Sequence, residues 1–282
     1  MKRLFNPLII LMVVVLGIIS YIPCVEGSFI SMETTASATF QENTLVAKVS
    51  VTNKGDEPAY NVQIGIDAFN NVASIPVKDV IQINETYTIE KTLAMDIQTV
   101  GRYPLIVTVD YTDLNQYPFS AISSSHFIYK EDVSPKIHGK IDNVGILDSG
   151  IIILSLKNLH DSKKKIRIKL IVPKVLSVTE SIKDIELDSE SEAEIRFGIK
   201  NFSGLLGSSY HVFAVMGYNE NKKNCTVTIP GVVKMIGRTD FIRNYLRNYK
   251  WVFIGIGIAL LAVFLWLQFG GKKTSFEKSN IV

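Results

Sequence analysis

Three short blocks of this sequence return about a hundred residues later, in the same order. Val49-Ser50-Val51-Thr52-Asn53 lines up with Leu154-Ser155-Leu156-Lys157-Asn158 at an offset of 105 residues. Val77-Lys78-Asp79-Val80 lines up with Ile182-Lys183-Asp184-Ile185 at the same offset. Tyr103 to Tyr111 then matches Tyr210 to Tyr218 at 107, with Asp113 opposite Glu220. Shared order and spacing point to two copies of one unit. Each copy is then an ordinary domain of about 100 residues.

Both copies read as strands. Ala47, Val49 and Val51 alternate with Lys48, Ser50 and Thr52, and Val62, Ile64 and Ile66 alternate with Gln63, Gly65 and Asp67. In the second copy Ile166, Ile168 and Leu170 alternate with Lys165, Arg167 and Lys169, and Ile195, Phe197 and Ile199 follow the same rule. A period of two puts one face of each strand on a core and the other in water. Turn signals separate them at 53–56, 84–86, 159–162 and 219–221. The spacing predicts an all-β chain of two tandem antiparallel sandwiches, residues 28–132 and 133–234, divided just before Pro135.

The two ends are of another kind. Lys2 and Arg3 precede an apolar run, Leu4 to Ile22, and a polar exit ending in Val25-Glu26-Gly27. This is the layout of an export signal, residues 1–27, cut after Gly27; an uncleaved first membrane helix is the alternative. Near the other end, Trp251 to Phe269 carries no charge. Its length as a helix, about 28 Å, matches the hydrocarbon thickness of a bilayer, so 251–269 is read as a transmembrane α-helix. Residues 235–250 are expected to form a juxtamembrane amphipathic helix and 270–282 a cytoplasmic tail. Arg243, Arg247, Tyr249, Lys250, Trp251, Trp266, Lys272 and Lys273 are the expected membrane-interface residues. Basic residues flank the span on both sides, so the N-terminal segment sets the orientation. The folded part is outside the cytoplasm whether or not that segment is cut. The expected location is the cell membrane, single-pass, with the C-terminus cytoplasmic.

The whole chain carries +3, but five of its bases (Lys2, Arg3, Lys272, Lys273, Lys278) and two of its acids (Glu26, Glu277) lie at the ends. Residues 28–250 therefore hold 25 of each sign, which argues against a nucleic-acid partner. Cys225 is the one cysteine beyond Cys24, so a mature product cut after Gly27 would form no intrachain disulfide.

The stretch Val51-Thr52-Asn53-Lys54-Gly55-Asp56-Glu57-Pro58-Ala59-Tyr60-Asn61-Val62 resembles the opening hairpin of the CARDB and NEW3 type of immunoglobulin-like domain. Such domains show a strand, Asn-x-Gly, a small residue or Pro, and Asn-Val leading into the next strand. The second copy departs from it, with Asn158-Leu159-His160-Asp161 and neither Gly nor Pro. Two such modules before a C-terminal span resemble archaeal and bacterial surface-layer-associated membrane proteins. The resemblance implies immunoglobulin-like sandwiches used for adhesion, spacing or ligand presentation, and it transfers no catalytic residue.

No pattern in the sequence points to catalysis, a metal or another cofactor. His126, His138, His160 and His211 lack ligand spacing, and no phosphate loop or nucleophile elbow occurs. Asp188, Glu190, Glu192 and Glu194 read as a solvated strand face rather than a calcium loop. Lys163, Lys164, Lys165, Arg167 and Lys169 form the strongest basic cluster, a solvated or edge-protecting face by default, with contact to an anionic glycan, a lipid head group or a partner as the alternative. Asn84, Asn201 and Asn224 open glycosylation sequons. The expected function is a non-enzymatic, membrane-anchored scaffold, adhesion or interaction protein with a protein partner in the cell envelope. The alternatives are an accessory subunit of a secretory-pathway translocation or glycosylation complex, and a glycan-binding module. A glycan-active enzyme ranks last and would need a distant carboxylate pair such as Asp110 and Asp142.

Overall fold

The computed structural model describes residues 29–69 and 71–237, together with Val252 and Gly255. The segments read as signal, as transmembrane helix and as tail lie outside the described residues, apart from those two positions. All eight expected membrane-interface residues, Arg243 to Lys273, lie outside them too. Among the described residues no helix is long and apolar enough to cross a membrane.

The described chain is all-β. Its first half holds β1 (Met32–Gln41), β2 (Thr44–Asn53), β3 (Ala59–Ala68), β4 (Asn71–Ser74), β5 (Lys78–Ile81), β6 (Thr86–Ala94), β7 (Gly101–Thr112) and β8 (Pro118–Tyr129). The second half holds β9 (Ile137–Ile141), β10 (Val144–Ile146), β11 (Ser149–Asn158), β12 (Lys164–Ile171), β13 (Leu176–Val178), β14 (Ile182–Leu187), β15 (Glu192–Asn201), β16 (Ser209–Glu220) and β17 (Lys223–Met235). The last strand runs through buried Met235, whose N–H bonds to Ser208 O at 2.8 Å, so the helix expected from residue 235 does not begin there.

In each half two sheets close on their own apolar core. The first sets β1-β2-β6 against β3 and β7, with β4 and β5 beside β3 and β8 beside β7. The second sets β9-β11-β15-β13 against β14-β12-β16-β17. These are the strand orders of an immunoglobulin-like sandwich. One core gathers Leu45, Val49, Ile64, Ile66, Leu105 and Phe127, and the other Ile152, Leu154, Ile166, Ile168, Phe197 and Met216. The repeated blocks fall on equivalent strands: β2 with β11, β5 with β14, and β7 with β16.

The repeat also explains two matched residue types. Tyr103 at the start of β7 donates its hydroxyl to Thr99 O at 2.6 Å. Tyr210 at the start of β16 accepts from Leu205 N–H at 3.1 Å. Both fix the corner leading into the strand, a hallmark of this sandwich.

Asn53 and Asn158, ending β2 and β11, are both 0% exposed. Asn53 Nδ2 donates to Glu57 O at 2.7 Å and to Ile81 O at 3.3 Å, while Oδ1 takes Gly55 N–H at 3.0 Å. Asn158 Nδ2 reaches Ser162 O at 3.1 Å, Leu187 O at 3.3 Å and Asp188 O at 2.7 Å, while Oδ1 takes His160 N–H at 2.9 Å. Each amide thus shapes the following turn and ties it to the chain leaving β5 or β14. Gly55 and His160 occupy matching places. A Cβ at Gly55 would meet Phe29 O at 2.3 Å, because the chain entering β1 crosses there.

The sandwiches lie side by side and joined. Asn224 of β17 pairs with Gly101 of β7 in a one-residue parallel bridge. Its N–H bonds to Val100 O at 2.8 Å and its Nδ2 to Arg102 O at 2.6 Å. Ser124 of β8 reaches Thr228 of β17 at 3.2 Å. Farther along, Lys174 pairs with Asp110 at 2.7 Å, and Tyr117 donates to Ser203 O at 2.6 Å. β7 is the counterpart of β16, which runs antiparallel to β17, so the parallel pairing of β7 with β17 makes the sandwiches point in opposite directions.

Truncating either buried asparagine strands several carbonyls and one N–H. Asn158→Ala is expected to destabilise the second sandwich, and Asn53→Ala the first, by about 1–3 kcal/mol each. Denaturant unfolding followed separately by probes in each half checks this. Gly101 sits at φ +141°, and an added Cβ would meet Asn224 O at 2.0 Å. Gly101→Ala is therefore expected to open the seam while leaving both cores folded, read as faster proteolysis between residues 130 and 136 with unchanged far-UV circular dichroism.

Candidate functional site

The basic cluster sits on β12, beside the edge strand β14. Alternation sends Ile166, Ile168 and Leu170 into the core, so Lys165, Arg167 and Lys169 must face out. Antiparallel pairing then sets Lys165 opposite Glu186 and Arg167 opposite Asp184. Arg167 grips Asp184 with two bonds, at 2.8 and 2.9 Å. Lys165 lies 3.3 Å from Glu186, Lys163 lies 2.9 Å from Asp188, and Lys164 pairs with Glu220. Lys169 reaches across to Asp67 at 3.9 Å. Five bases meet five acids. The stripe therefore presents no net positive charge to an anionic glycan; it is a cross-strand ladder of opposite charges along a sheet edge. Exposed pairs of this kind add little to stability, but they set strand register and discourage edge-to-edge association.

The acidic run opposite is engaged in the same way. Asp188 meets Lys163, Glu192 meets Lys157 at 2.8 Å, and Glu194 meets Arg196 at 3.7 Å. Among the described residues no cluster of three or more His, Cys, Asp or Glu is placed to hold a metal ion.

Among the described residues the largest recess, about 720 Å³, lies over the charge ladder, between Lys165, Arg167, Asp184 and Glu186, and a smaller one lies on the seam. A hollow of about 320 Å³ is lined by Asp110, Ser120 and Phe119 from the first sandwich and by Lys174, Val175 and Phe202 from the second. Asp110 and Ser120 are register partners on β7 and β8. Among the described residues Asp110 Oδ1 and Ser120 Oγ are buried without hydrogen-bond partners, while Asp110 Oδ2 holds Lys174. No sequence signal marks this group, because its two charges lie 64 residues apart. The other carboxylate considered with Asp110, Asp142, is paired with Lys140 at 2.6 Å.

The three sequons differ. Asn84 is exposed on the β5–β6 turn at φ +60°. Asn201 is half-buried, its Oδ1 taking Gly204 N–H at 2.6 Å and its Nδ2 giving to Gly204 O at 3.1 Å. Asn224 spends its amide on the seam. A glycan there would have to break the bond to Arg102 O.

Cys225 is buried, and burial pushes its thiol pKa up. His160 is 3% exposed, with Nδ1 3.5 Å from Glu220 Oε2 and its ring edge-on to Tyr218 at 5.7 Å. Burial pushes its pKa below the ordinary histidine value; Glu220 pulls it back up, and Lys164 and Lys136 push it further down. His126 shifts in the same direction, chiefly through desolvation.

No family model and no curated protein matches the chain. Solved structures similar to it include Escherichia coli alpha-2-macroglobulin in its native conformation, at 10% identity and TM-score 0.30 over 73% of this chain and 17% of that one. A protein from Porphyromonas gingivalis W83 aligns at 10% identity and TM-score 0.29, over 71% and 98%. A non-cellulosomal cohesin from Archaeoglobus fulgidus aligns at 9% and 0.29, over 39% and 98%. The chain thus spans a small part of the macroglobulins it matches. Scores this low carry no functional inference.

A histidine whose folded pKa is lowered leaves the unfolded chain binding more protons, so stability rises with pH across that interval. The unfolded value is near 6.5. Stability is therefore expected to fall as pH drops from about 7 through 6.5 toward the lowered folded value. In chemical denaturation at a series of pH values, His160→Leu should flatten that slope; an unchanged slope would assign it to other groups.

Proposed function

We propose that this chain is a non-enzymatic, membrane-anchored protein whose paired sandwiches act outside the cytoplasm as a joined interaction module, either an adhesion or scaffold protein or a subunit of an envelope assembly. The observation that carries this reading is where the two ends of the described chain lie. Phe29, Asn115, Leu205 and Ser208 line one cleft of about 420 Å³. Gly207 N–H bonds to Met235 O at 2.8 Å, so the chain leaves β17 beside that cleft. Both apolar runs, 4–22 and 251–269, are therefore attached at one pole of the sandwich pair. A bilayer at that pole accommodates both without stretching the fold.

Three further features support an interaction role. The seam holds two sheets in fixed relation, so that one anchor would present both sandwiches together. The charge ladder on β12 and β14 guards an edge rather than forming an active site. The Asn-x-Gly turn that resembles CARDB and NEW3 modules is built around Asn53, a structural amide.

The full chain in its native membranes is expected to resist alkaline carbonate extraction, and its sandwiches should be cut by protease added on the extracytoplasmic side only. Release by carbonate would overturn the anchoring. Cross-linked pull-down of the full chain should recover one recurring envelope protein, and repeated recovery of none would count against the assembly role.

A further inference from the structure

The pole where the chain ends meet also carries the most exposed apolar side chains of the second sandwich. On the loop between β15 and β16, Phe202 is 81% and Leu206 64% exposed, with Leu205 between them at 39%. Leu114, on the β7–β8 turn of the first sandwich, is 73% exposed. Single exposed hydrophobes need no explanation, but a group of them on one tip does. The Tyr117–Ser203 bond joins the two loops, so Leu114 and the Phe202 loop belong to one surface.

The loop is firmly built. Phe202 N–H and Ser203 N–H both bond to Val175 O, at 2.9 and 3.1 Å. Asn201 clamps Gly204 from both sides, and Tyr210 accepts from Leu205 N–H at 3.1 Å. Six of the loop's N–H groups, from Phe202 to Leu205 and at Gly207 and Ser208, are bonded within the protein while Phe202 and Leu206 stand exposed. Such a tip is preorganised for an apolar medium.

We infer that this tip is a bilayer-contact surface: Phe202, Leu206 and Leu114 enter the headgroup boundary of the outer leaflet and fix how the sandwich pair stands on the membrane. The inference rests on the anchoring proposed above. The occupant follows from chain continuity. The loop is bonded to Met235, and residues 238–250 separate the described chain from Trp251. Gly237 to Trp251 spans about 21 Å as a helix and at most about 50 Å extended, so the chain enters the span from this pole and, as a helix, within about 21 Å of it. Charge does not supply the contact. Exposed Lys200 and Lys234 at this end are matched in number by Asp113 and Asp148, so apolar insertion dominates and salt should not weaken it.

The test uses the full chain, with Cys24→Ser, reconstituted in phosphatidylcholine vesicles. Cys225 is 1% exposed and stays unlabelled under native conditions. A polarity-sensitive dye is placed at Leu206→Cys, at Leu114→Cys, or at Val72→Cys as control. Val72 is 79% exposed and lies level with Ile106, roughly 20 Å along β7 from Thr112.

Dyes at 206 and 114 are expected to shift to the blue and to be quenched several-fold more than the dye at 72 by lipids spin-labelled near the headgroup, equally at low and at high salt. Adding Phe202→Ser and Leu206→Ser should abolish quenching at 114 without changing carbonate resistance. A dye at 206 as wet as the dye at 72, in protein that still resists carbonate, would overturn the inference and leave the anchoring intact. Release of the chain by carbonate would overturn both.

Discussion

One buried side-chain amide per sandwich ties the turn after β2 or β11 to the chain leaving β5 or β14. Asn53 and Asn158 lie at the ends of β2 and β11, where the chain turns toward the opposite sheet. Each closes its own turn through Oδ1 and reaches with Nδ2 to the end of the next hairpin strand, β5 or β14. A buried amide without partners would be costly, so its full satisfaction permits few alternative registers. Register in turn decides which face of β3 or β12 meets the core, because a one-residue slip exposes every inward side chain. The rest of each sandwich follows from that turn.

The half-buried strands were legible because their two faces meet different solvents. Val49 and Val51 on β2, and Ile166 and Ile168 on β12, carry the period of two in the residues themselves. The repeat was legible for a related reason: Asn53, Tyr103 and their counterparts Asn158 and Tyr210 do specific hydrogen-bonding work that other residue types perform poorly. Short edge strands such as β4 and β13 left no such trace. Three or four residues on an edge cannot display a period, and their pairing is decided by the neighbour they find.

Charge was legible as composition but not as partnership. Lys163 to Lys169 stand out as a basic run, and the acids that neutralise them are spread over β14, β16 and the first sandwich. Only the pairing of β12 with β14 sets Arg167 on Asp184 and Lys165 on Glu186. The zero net charge of residues 28–250 was the better guide, since it required every cluster of one sign to be offset somewhere. The seam was hidden for the same reason. Asp110, Lys174, Tyr117 and Ser203 are ordinary surface residues until two sandwiches are laid together.

The direction in which they are laid together carries the functional argument. Stacked end to end, two sandwiches would leave the chain entering at one extreme and leaving at the other. β8 instead ends beside the start of β7, residues 130–136 turn the chain into the second sandwich from that end, and Asn224 then fastens β17 alongside β7. This reversal brings Phe29 and the exit from Met235 to one pole. Under the anchoring proposed here, that placement makes the outcome at the N-terminal segment immaterial to orientation: cut or uncut, the membrane meets the same surface. It also gives the Phe202 loop a reason to be stiff. Clamped by Asn201 and by Val175, the loop holds Phe202 and Leu206 exposed beside the seam hollow that Phe202 shares with Phe119.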